Sequence, residues 1–404
     1  KIADLPGLGL QLQWSPDARR IRFVLAQDGQ PGTTLWEVGL GGSPQPILKG
    51  WDGEGQIASP GGWSPDGRNS FFVSPHLGTY DIWDLPEQSI FNFGKRYPSR
   101  ISDVPFVIMG IVPSRDGKKL FAIGIHTMPE VGRFDPRVGQ FLPYQEFSGI
   151  HAYWITFSRN HRQVAYTTYP EENLWIENAD GTDRTQLTFA PLHVVGLSWS
   201  PDGSRIAFRA QTPGGHWKVY VMSVSGKELR ELTAGQSDSG VPTWSPDGRR
   251  LVFGDMPAVW GQARGDEVLH LYDLRSGTTS ALSGSGGLWT SRWSPDGKFI
   301  AALKISNQEL MLYDCHSGRW RSLGPAGLNE VMWSHDSKFL MYETLRPDVA
   351  IYRIQIANGK TERLCDLAAY ARLEQGFTLD SDDHPIVLQN KSTSEIYAFG
   401  IESH

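Results

Sequence analysis

The sequence predicts an all-β fold, a single closed β-propeller of nine four-stranded blades. Three observations predict it. A five-residue motif recurs at spacings of 40 to 50 residues, short β-type runs follow each copy, and no amphipathic helical stretch of useful length is present. A chain of 404 residues exceeds the usual size of one core, but a repeat protein grows by adding modules around an axis.

The motif reads Trp-Ser-Pro-Asp-Gly in its complete form. Six clear copies begin at Trp14, Trp63, Trp199, Trp244, Trp293 and Trp333, and three degenerate copies begin at Pro113, Phe157 and Leu379. An apolar residue stands seven positions after the first residue in strong and weak copies alike, as at Leu251 and Val164. This shared register places the weak copies in the same series.

Each repeat carries the strands of one blade. In the fifth repeat, the runs at 197–199, 205–209, 218–224 and 229–233 are β-branched or aromatic and are separated by turn residues. We expect one domain over residues 1–404, with blades that begin near residues 10, 59, 108, 152, 194, 239, 288, 329 and 374. An eight-bladed ring is the alternative, if the unit around Phe157 or Leu379 is absorbed elsewhere.

The two ends of the sequence predict a Velcro-type closure. The last repeat stops one strand short, and Lys1–Leu5 reads like the outer strand of other repeats, such as Lys360–Leu364. We therefore expect strand 1–5 to complete the last blade, because closure removes the unpaired sheet edges of an open array.

The acidic residues of the motif have a structural interpretation. Proline fixes φ in the turn, the carboxylate accepts backbone N–H bonds, and glycine takes the positive-φ position before the next strand. Asp17, Asp66, Asp116, Asp202, Asp247, Asp296, Asp336 and Asp382 are therefore predicted to be turn residues. The large first residue is expected to fill the wedge between neighbouring blades.

The motif and its following strands resemble the TolB-type, WD-repeat-like bacterial propellers, and the likeness covers essentially the whole chain. Segments 112–124 and 207–233 are more similar to the C-terminal propeller domains of bacterial winged-helix transcriptional regulators and serine/threonine kinases. The resemblance implies an interaction or sensor domain of a larger regulatory or envelope protein, and TolB itself offers one propeller face to proteins and peptides. Usual family members have fewer blades than nine.

Composition narrows the classes of partner. The net charge of −6 is spread along the chain, so no basic surface for nucleic acid is expected. No apolar run is long enough for a transmembrane helix. Two cysteines and eleven histidines show no zinc or metal spacing, and no cofactor is expected.

We expect a monomer. The compartment stays open between bacterial periplasm and cytoplasm, and the resemblance slightly favours the periplasm.

Candidate binding residues lie in the loops that enter the inner strands, at the predicted channel mouth. They are His151, Tyr153, Trp154, His193, Trp289, Thr290, Asn329, Arg372 and Glu374. An aromatic and polar mixture in a concave site suits a protein or peptide partner or a small polar ligand. For Trp154 and Trp289, the alternative is packing between blades.

The longer insertion 255–266, with Trp260, is a second candidate surface or a solvated hairpin.

Two functions follow from this pattern. The first is a non-enzymatic interaction or sensor propeller that binds its partner at the channel mouth. The alternative is a propeller enzyme, a lyase or glycan-acting hydrolase, whose acid and base residues converge at the central channel from separate blades. No catalytic residues are predicted from local motifs, because no GxSxG elbow or phosphate-binding loop is present.

Overall fold

The fold is taken from a computed structural model, which describes most of the chain. The described residues are 2–27, 32–51, 57–74, 80–87, 97–104, 106–126, 128–169, 171–235, 237–257, 265–306, 308–325, 330–344, 348–368, 370 and 376–401. Apart from one short 3₁₀ helix, Gln145–Phe147, all regular elements described are β-strands. The all-β prediction is confirmed. No helix in these ranges has the length and apolar character needed to cross a membrane.

The chain forms two compact units. What we call the three-sheet unit comprises the described residues of Lys1–Met128, Thr212–Gly215 and Ser392–His404, and the six-sheet unit comprises those of Pro129–Gln211 and His216–Lys391. Nine antiparallel sheets are formed by the described residues, eight with four strands and one with three. Each unit is considered by itself below.

The three-sheet unit holds two sheets that follow chain order and one that does not. The first sheet is β1 (Leu8–Trp14), β2 (Arg20–Ala26), β3 (Thr33–Gly39) and β4 (Gln45–Pro46). The second is β5 (Ser59–Trp63), β6 (Asn69–Ser74), β7 (Asp81–Pro86) and β8 (Ser99–Arg100). The third has the order β9 (Val107–Pro113), β10 (Lys119–His126) and β35 (Thr393–Gly400), with β10 in the middle.

The six-sheet unit contains five sheets in chain order. Their strands are β13 (Ala152–Phe157), β14 (Gln163–Thr168), β15 (Leu174–Asn178) and β16 (Thr185–Gln186); β17 (His193–Trp199), β18 (Arg205–Gln211), β19 (Lys218–Ser223) and β20 (Leu229–Glu231); β21 (Thr243–Trp244), β22 (Arg250–Gly254), β23 (Leu269–Asp273) and β24 (Thr278–Ala281); β25 (Leu288–Trp293), β26 (Phe299–Lys304), β27 (Glu309–Asp314) and β28 (Arg319–Pro325); and β29 (Val331–Trp333), β30 (Phe339–Glu343), β31 (Ala350–Gln355) and β32 (Thr361–Asp366).

The sixth sheet of this unit joins strands from distant parts of the chain. Its order is β33 (Thr378–Leu379), β34 (Pro385–Asn390), β11 (Pro129–Asp135) and β12 (Gln140–Pro143). The inner half of the ninth repeat is thus completed by the outer half of the third repeat. The remaining strands of these two repeats, β9, β10 and β35, form the three-stranded sheet of the other unit.

This exchange of strands between the third and ninth repeats differs from the strand pairing that the sequence predicts for the two ends of the chain. Described residues 2–5 lie outside strands, and β11 occupies the edge of β34 at which the third strand of the last repeat, β35, was expected. The blades expected to begin near 108 and 374 likewise do not form as continuous units. The physical reason lies in packing, because Phe134 and Phe141 of the β11–β12 hairpin fill one apolar cluster with Leu379 and Val387.

Six apolar clusters connect the sheets of the six-sheet unit. Each cluster joins two neighbouring sheets, and the last joins the β33–β34–β11–β12 sheet to the β13–β16 sheet. One member of each, in this order, is Phe208, Leu251, Ile300, Leu340, Val387 and Tyr166. Second strands such as β14 and β26 are apolar on both faces because a neighbouring sheet lies on each side.

Candidate functional site

All six sheets of the six-sheet unit contribute to one cavity of about 180 Å³. The cavity is lined by residues of the inner strands and of β34: Tyr153, Trp154, Ile155, Thr156, Gly196, Leu197, Ser198, Val241, Thr243, Arg292, Glu330, Met332, Gly376, Phe377, Thr378, Ile386, Val387 and Leu388. Most of this wall is apolar or aromatic, and its charged groups are one arginine and one glutamate. We call it the channel cavity.

Bulges in three inner strands shape this cavity. The register of β13, β17 and β25 shifts between Tyr153 and Thr156 and at the corresponding positions of the other two strands. The first bulge residue has positive φ in each strand: 49° at Trp154, 64° at Gly196 and 47° at Thr290. A Cβ at Gly196 would approach Val241 to 2.4 Å, so this position requires glycine.

Trp154 occupies an unfavourable backbone conformation in the cavity wall. A non-glycine residue at positive φ costs about 1 to 3 kcal/mol and is found preferentially at functional sites. Its indole N–H is buried and has no hydrogen-bond partner among the described residues. The ring of Tyr153 lies edge-on to the Trp154 ring, with 5.7 Å between their centroids. The surrounding sheets therefore hold Trp154 in place against a local energetic cost.

A buried ion pair supplies the polar groups of the cavity. Arg292 Nη2 donates to Glu330 Oε2 at 2.6 Å, and both side chains are 8% exposed. Burial raises the pKa of the Glu330 carboxyl, and the charge of Arg292 offsets part of this effect. A buried pair of this kind seldom adds net stability over apolar side chains of similar size.

The structure brings together only some of the predicted site residues. Tyr153 and Trp154 line the channel cavity. His151 is exposed before β13, and His193 Nδ1 lies 3.3 Å from Glu172 at the start of β17. Trp289 is 5% exposed and packs within an apolar cluster with Leu303 and Val331, which is the alternative role foreseen for it.

The other predicted positions do not lie in the cavity wall or cannot be placed. Thr290 is buried at its bulge and does not line the cavity. Asn329, Arg372 and Glu374 lie outside the described residues, as does Trp260 of the longer insertion.

The aspartates of seven motif copies have the same geometry. The serine hydroxyl two residues earlier donates to Asp Oδ1 at 2.6 to 2.8 Å, and the N–H two residues later donates to the same oxygen at 3.0 to 3.1 Å, at Asp17, Asp66, Asp116, Asp202, Asp247, Asp296 and Asp336. In the ninth copy the accepting carboxylate is that of Asp380, because the serine position itself holds an aspartate. Asp382 donates its N–H to Asp380 instead.

A cluster of titratable residues lies at the turn of the ninth motif. Oxygen or nitrogen atoms of Asp380, Asp382 and His384 lie within 4.8 Å of one another. The Asp380 carboxylate already accepts from Arg133 and from the backbone N–H groups of Asp382 and His384, so its position is explained by the turn. Beside it, His335 Nδ1 contacts Asp383 at 2.6 Å, and this hydrogen bond raises the pKa of His335.

Arg292 and Glu330 are the cavity residues that sequence reasoning missed. Arg292 directly precedes the motif residue Trp293, a position at which the other copies hold uncharged residues, namely Gln13, Gly62, Val112, Thr156, Ser198, Thr243, Met332 and Thr378. The charge of Arg292 at a position that is otherwise uncharged was the signal in the sequence for this site residue. Glu330 gives no such signal in the sequence.

Comparison with known proteins identifies the repeat. Residues 155–371, just over half of the chain, match the family model described as the TolB beta propeller domain. The peptidase YuxL of Bacillus subtilis (strain 168), described as uncharacterized, is 25% identical over 248 residues, which is 60% of this chain. This chain covers 28% of the length of that relative.

Solved structures of similar fold include a TolB protein and a lyase. TolB from Acinetobacter baumannii is 16% identical, with a TM-score of 0.48 over 76% of this chain and 80% of that chain. Oligogalacturonate lyase from Vibrio parahaemolyticus is 12% identical, with a TM-score of 0.35 over 85% of this chain and 88% of that chain.

Proposed function

The chain belongs to the TolB β-propeller family, and on that premise we propose that its six-sheet unit is a closed six-bladed propeller that binds a partner peptide in the channel cavity without catalysis. The observation that carries this proposal is the cavity to which all six sheets contribute. A nine-bladed ring of the whole chain, and its eight-bladed alternative, are the architectures that compete with this proposal. The regulator-like or kinase-like context and the periplasmic location stay predictions.

The size and wall of the cavity favour an anchoring side chain over a whole small ligand. Small-molecule sites usually measure about 300 to 1,000 Å³, whereas this cavity measures about 180 Å³. Tyr153, Trp154 and Phe377 offer aromatic surface to an apolar or aromatic side chain. We therefore expect the bound peptide to insert one such residue.

The ion pair supplies the orientation of the bound group. Glu330 accepts and Arg292 donates, so a peptide N–H or C=O next to the inserted residue finds a partner for either of its polar groups. The unpaired indole N–H of Trp154 is a further donor in the same wall. Trp154 and Arg292 lie on strands and Glu330 directly precedes one, so these groups are held in position before the ligand arrives.

Selection of peptides from a displayed random library tests the proposal. We expect the selected peptides to share an aromatic or large aliphatic residue and to lose at least about tenfold in affinity for Trp154→Ala and Glu330→Gln. The matched control is Phe189→Ala in the same unit, whose ring is 63% exposed and outside the cavity wall. Peptides that bind both cavity variants as tightly as the parent chain would contradict a channel site.

The second candidate is the propeller enzyme, and one observation favours it. His335 pairs with Asp383 at 2.6 Å, and its ring lies 4.7 Å from that of His161. A histidine oriented by a carboxylate is a suitable general base. If this candidate is correct, acidic oligosaccharides are cleaved to unsaturated products by the parent chain and by the exposed control His316→Ala, but not by His335→Ala.

A further inference from the structure

We propose that the channel cavity binds the free C-terminus of its partner peptide, with the last side chain against the aromatic part of the wall and the terminal carboxylate on Arg292. C-terminal binding rests on the proposed function, since it specifies which part of the peptide occupies the cavity. The partner is thereby narrowed to a protein or peptide that ends in an apolar or aromatic residue.

The ion pair of the cavity leaves part of its hydrogen-bonding capacity unused. Arginine carries N–H groups on all three guanidinium nitrogens. Arg292 Nη1 donates to the Ser291 carbonyl at 3.1 Å and Nη2 donates to Glu330 Oε2 at 2.6 Å. Arg292 Nε and Glu330 Oε1 have no hydrogen-bond partner in the part of the chain that the structure describes. Neither atom is fully buried, so a ligand in the cavity can reach both.

The last residue of a peptide carries the groups that match both of these atoms. Its amide N–H can donate to Glu330 Oε1, while its carboxylate accepts from the remaining N–H groups of Arg292. A carboxylate offers about four acceptor positions and forms charge-assisted, often bidentate contacts with arginine. The carbonyl of an internal residue offers about two positions and no charge. A terminal residue therefore satisfies the pair more completely than an internal one.

The depth of the ion pair favours a chain end over an internal segment. The side chains of Arg292 and Glu330 are each 8% exposed although both line the cavity, so the backbone of a ligand has to enter the cavity to reach them. The volume of about 180 Å³ is smaller than the usual range of about 300 to 1,000 Å³ for small-molecule sites. An internal segment would have to enter and leave through this space, whereas a terminal residue only enters.

The charges around Glu330 favour the C-terminus of a peptide over its N-terminus. Burial opposes ionisation of Glu330, but the positive charges of Arg292 and Arg209 both favour a negative charge at this position. A terminal carboxylate would share the field of these two cations. An N-terminal ammonium group would instead bring a third positive charge next to them. The field at the ion pair therefore suits a carboxylate.

The rest of the wall accommodates the last side chain. Tyr153, Trp154 and Phe377 line the cavity and offer aromatic surface. Gly376 precedes Phe377 and has a φ of 137°. A Cβ at Gly376 would lie 3.2 Å from Glu330 Cγ, so glycine keeps the space beside the carboxyl open. An apolar or aromatic last residue thus finds apolar contacts next to the polar pair.

Peptides that differ only in their end groups test C-terminal binding. A random library is fused behind a carrier protein so that every sequence ends in a free carboxylate, and the tightest binder is synthesised as the free acid, the C-terminal amide and the N-acetylated acid. Isothermal titration calorimetry should give equal affinities for the two acids and at least about tenfold weaker binding of the amide.

The outcomes separate this proposal from the proposed function. An amide that binds as tightly as the acid, and still loses affinity for Trp154→Ala, overturns C-terminal binding and leaves a peptide site in the channel. Loss of affinity on N-acetylation, with no loss on amidation, would assign the cavity to an N-terminus. If no sequence from the library binds, the proposed function fails and C-terminal binding fails with it.

Removal of both charges tests the role of Arg292. Arg292→Gln/Glu330→Gln leaves no buried charge without its partner, so we expect a circular dichroism spectrum like that of the parent chain. The double variant should bind the acid and the amide with equal affinity. Phe189→Ala, the exposed control, should keep the preference for the acid. A double variant that retains a tenfold preference for the acid overturns the contact between Arg292 and the carboxylate.

The last residue alone, as its N-acetyl free acid, separates a peptide partner from a small carboxylic acid. We expect it to bind at least about tenfold more weakly than the whole peptide, because it lacks the contacts of the preceding residues. Equal affinities would assign the cavity to a small carboxylic acid and overturn a peptide partner.

Discussion

The two units of this chain are built from the same repeat, yet they bury it differently. Trp244 in the six-sheet unit is 6% exposed, whereas Trp14 in the three-sheet unit is 52% exposed. Strand β26 is covered on both faces, whereas β10 is covered on one. Burial of a repeat residue therefore depends on which sheet stands next to it.

The largest expected effect concerns the sheet formed by strand exchange. Ile386 of β34 is 2% exposed and packs with Val131 and Tyr166, whereas Ile396 of β35 is 78% exposed. We expect Ile386→Ala to lower the free energy of unfolding by about 2 to 5 kcal/mol, because it leaves a cavity in the core. Ile396→Ala should change it by less than about 0.5 kcal/mol. Urea unfolding measures the free energy of unfolding of both variants. Equal losses would contradict the difference in burial between β34 and β35.

A smaller effect is expected at the motif tryptophans. Trp333→Phe removes the indole N–H and leaves the carbonyl of Arg292 buried without that donor, which should lower the free energy of unfolding by about 1 to 3 kcal/mol. Trp14→Phe should have no measurable effect, because the Trp14 side chain is half-exposed. Denaturant titrations compare the two. A loss at Trp14 as large as at Trp333 would show that Trp14 already has a neighbouring sheet within its own chain.

The position of the strands was predictable from the sequence, but their partners at two repeats were not. The runs at 205–209 and 218–224 correspond to β18 and β19, because β-branched residues and turn signals are local properties. The choice of β34 as the partner of β11 depends on packing between residues more than 240 positions apart, such as Arg133 and Ile386. The local pattern of β11 fits any neighbouring strand equally well.

Within the site, the same distinction holds between local and non-local causes. Tyr153 and Trp154 were predicted because they precede an inner strand, and they do line the cavity. The positive φ of Trp154 arises from a bulge set by the paired strand, which the sequence does not reveal. Glu330 lies in the site because it pairs with Arg292 of the neighbouring sheet.

The smallest expected effect is shared by both units, because the motif turn is local. Hydrogen bonds from the Ser200 hydroxyl and the Ser204 N–H lower the pKa of Asp202 to about 2 from 3.8, and similar bonds lower that of Asp116. A lowered pKa stabilises the fold above pH 3.8, and this contribution is lost as the pH falls toward 2. Asp202→Asn and Asp116→Asn should each weaken this acid dependence, as thermal unfolding between these pH values would measure. A weaker acid dependence in only one of the two variants would contradict an origin in the motif turn itself.

The exchanged sheet is tested most directly by a disulfide between β11 and β34. Glu130 and Gln389 are cross-strand partners, as are Gln163 and Asn178 within the ordinary β13–β16 sheet. In a background without Cys315, mild oxidation should link Glu130→Cys to Gln389→Cys as readily as Gln163→Cys to Asn178→Cys, as detected by mass spectrometry of peptides. Formation of the disulfide between positions 163 and 178 without the one between positions 130 and 389 would contradict the six-sheet unit. It would also contradict the channel cavity to which all six sheets contribute.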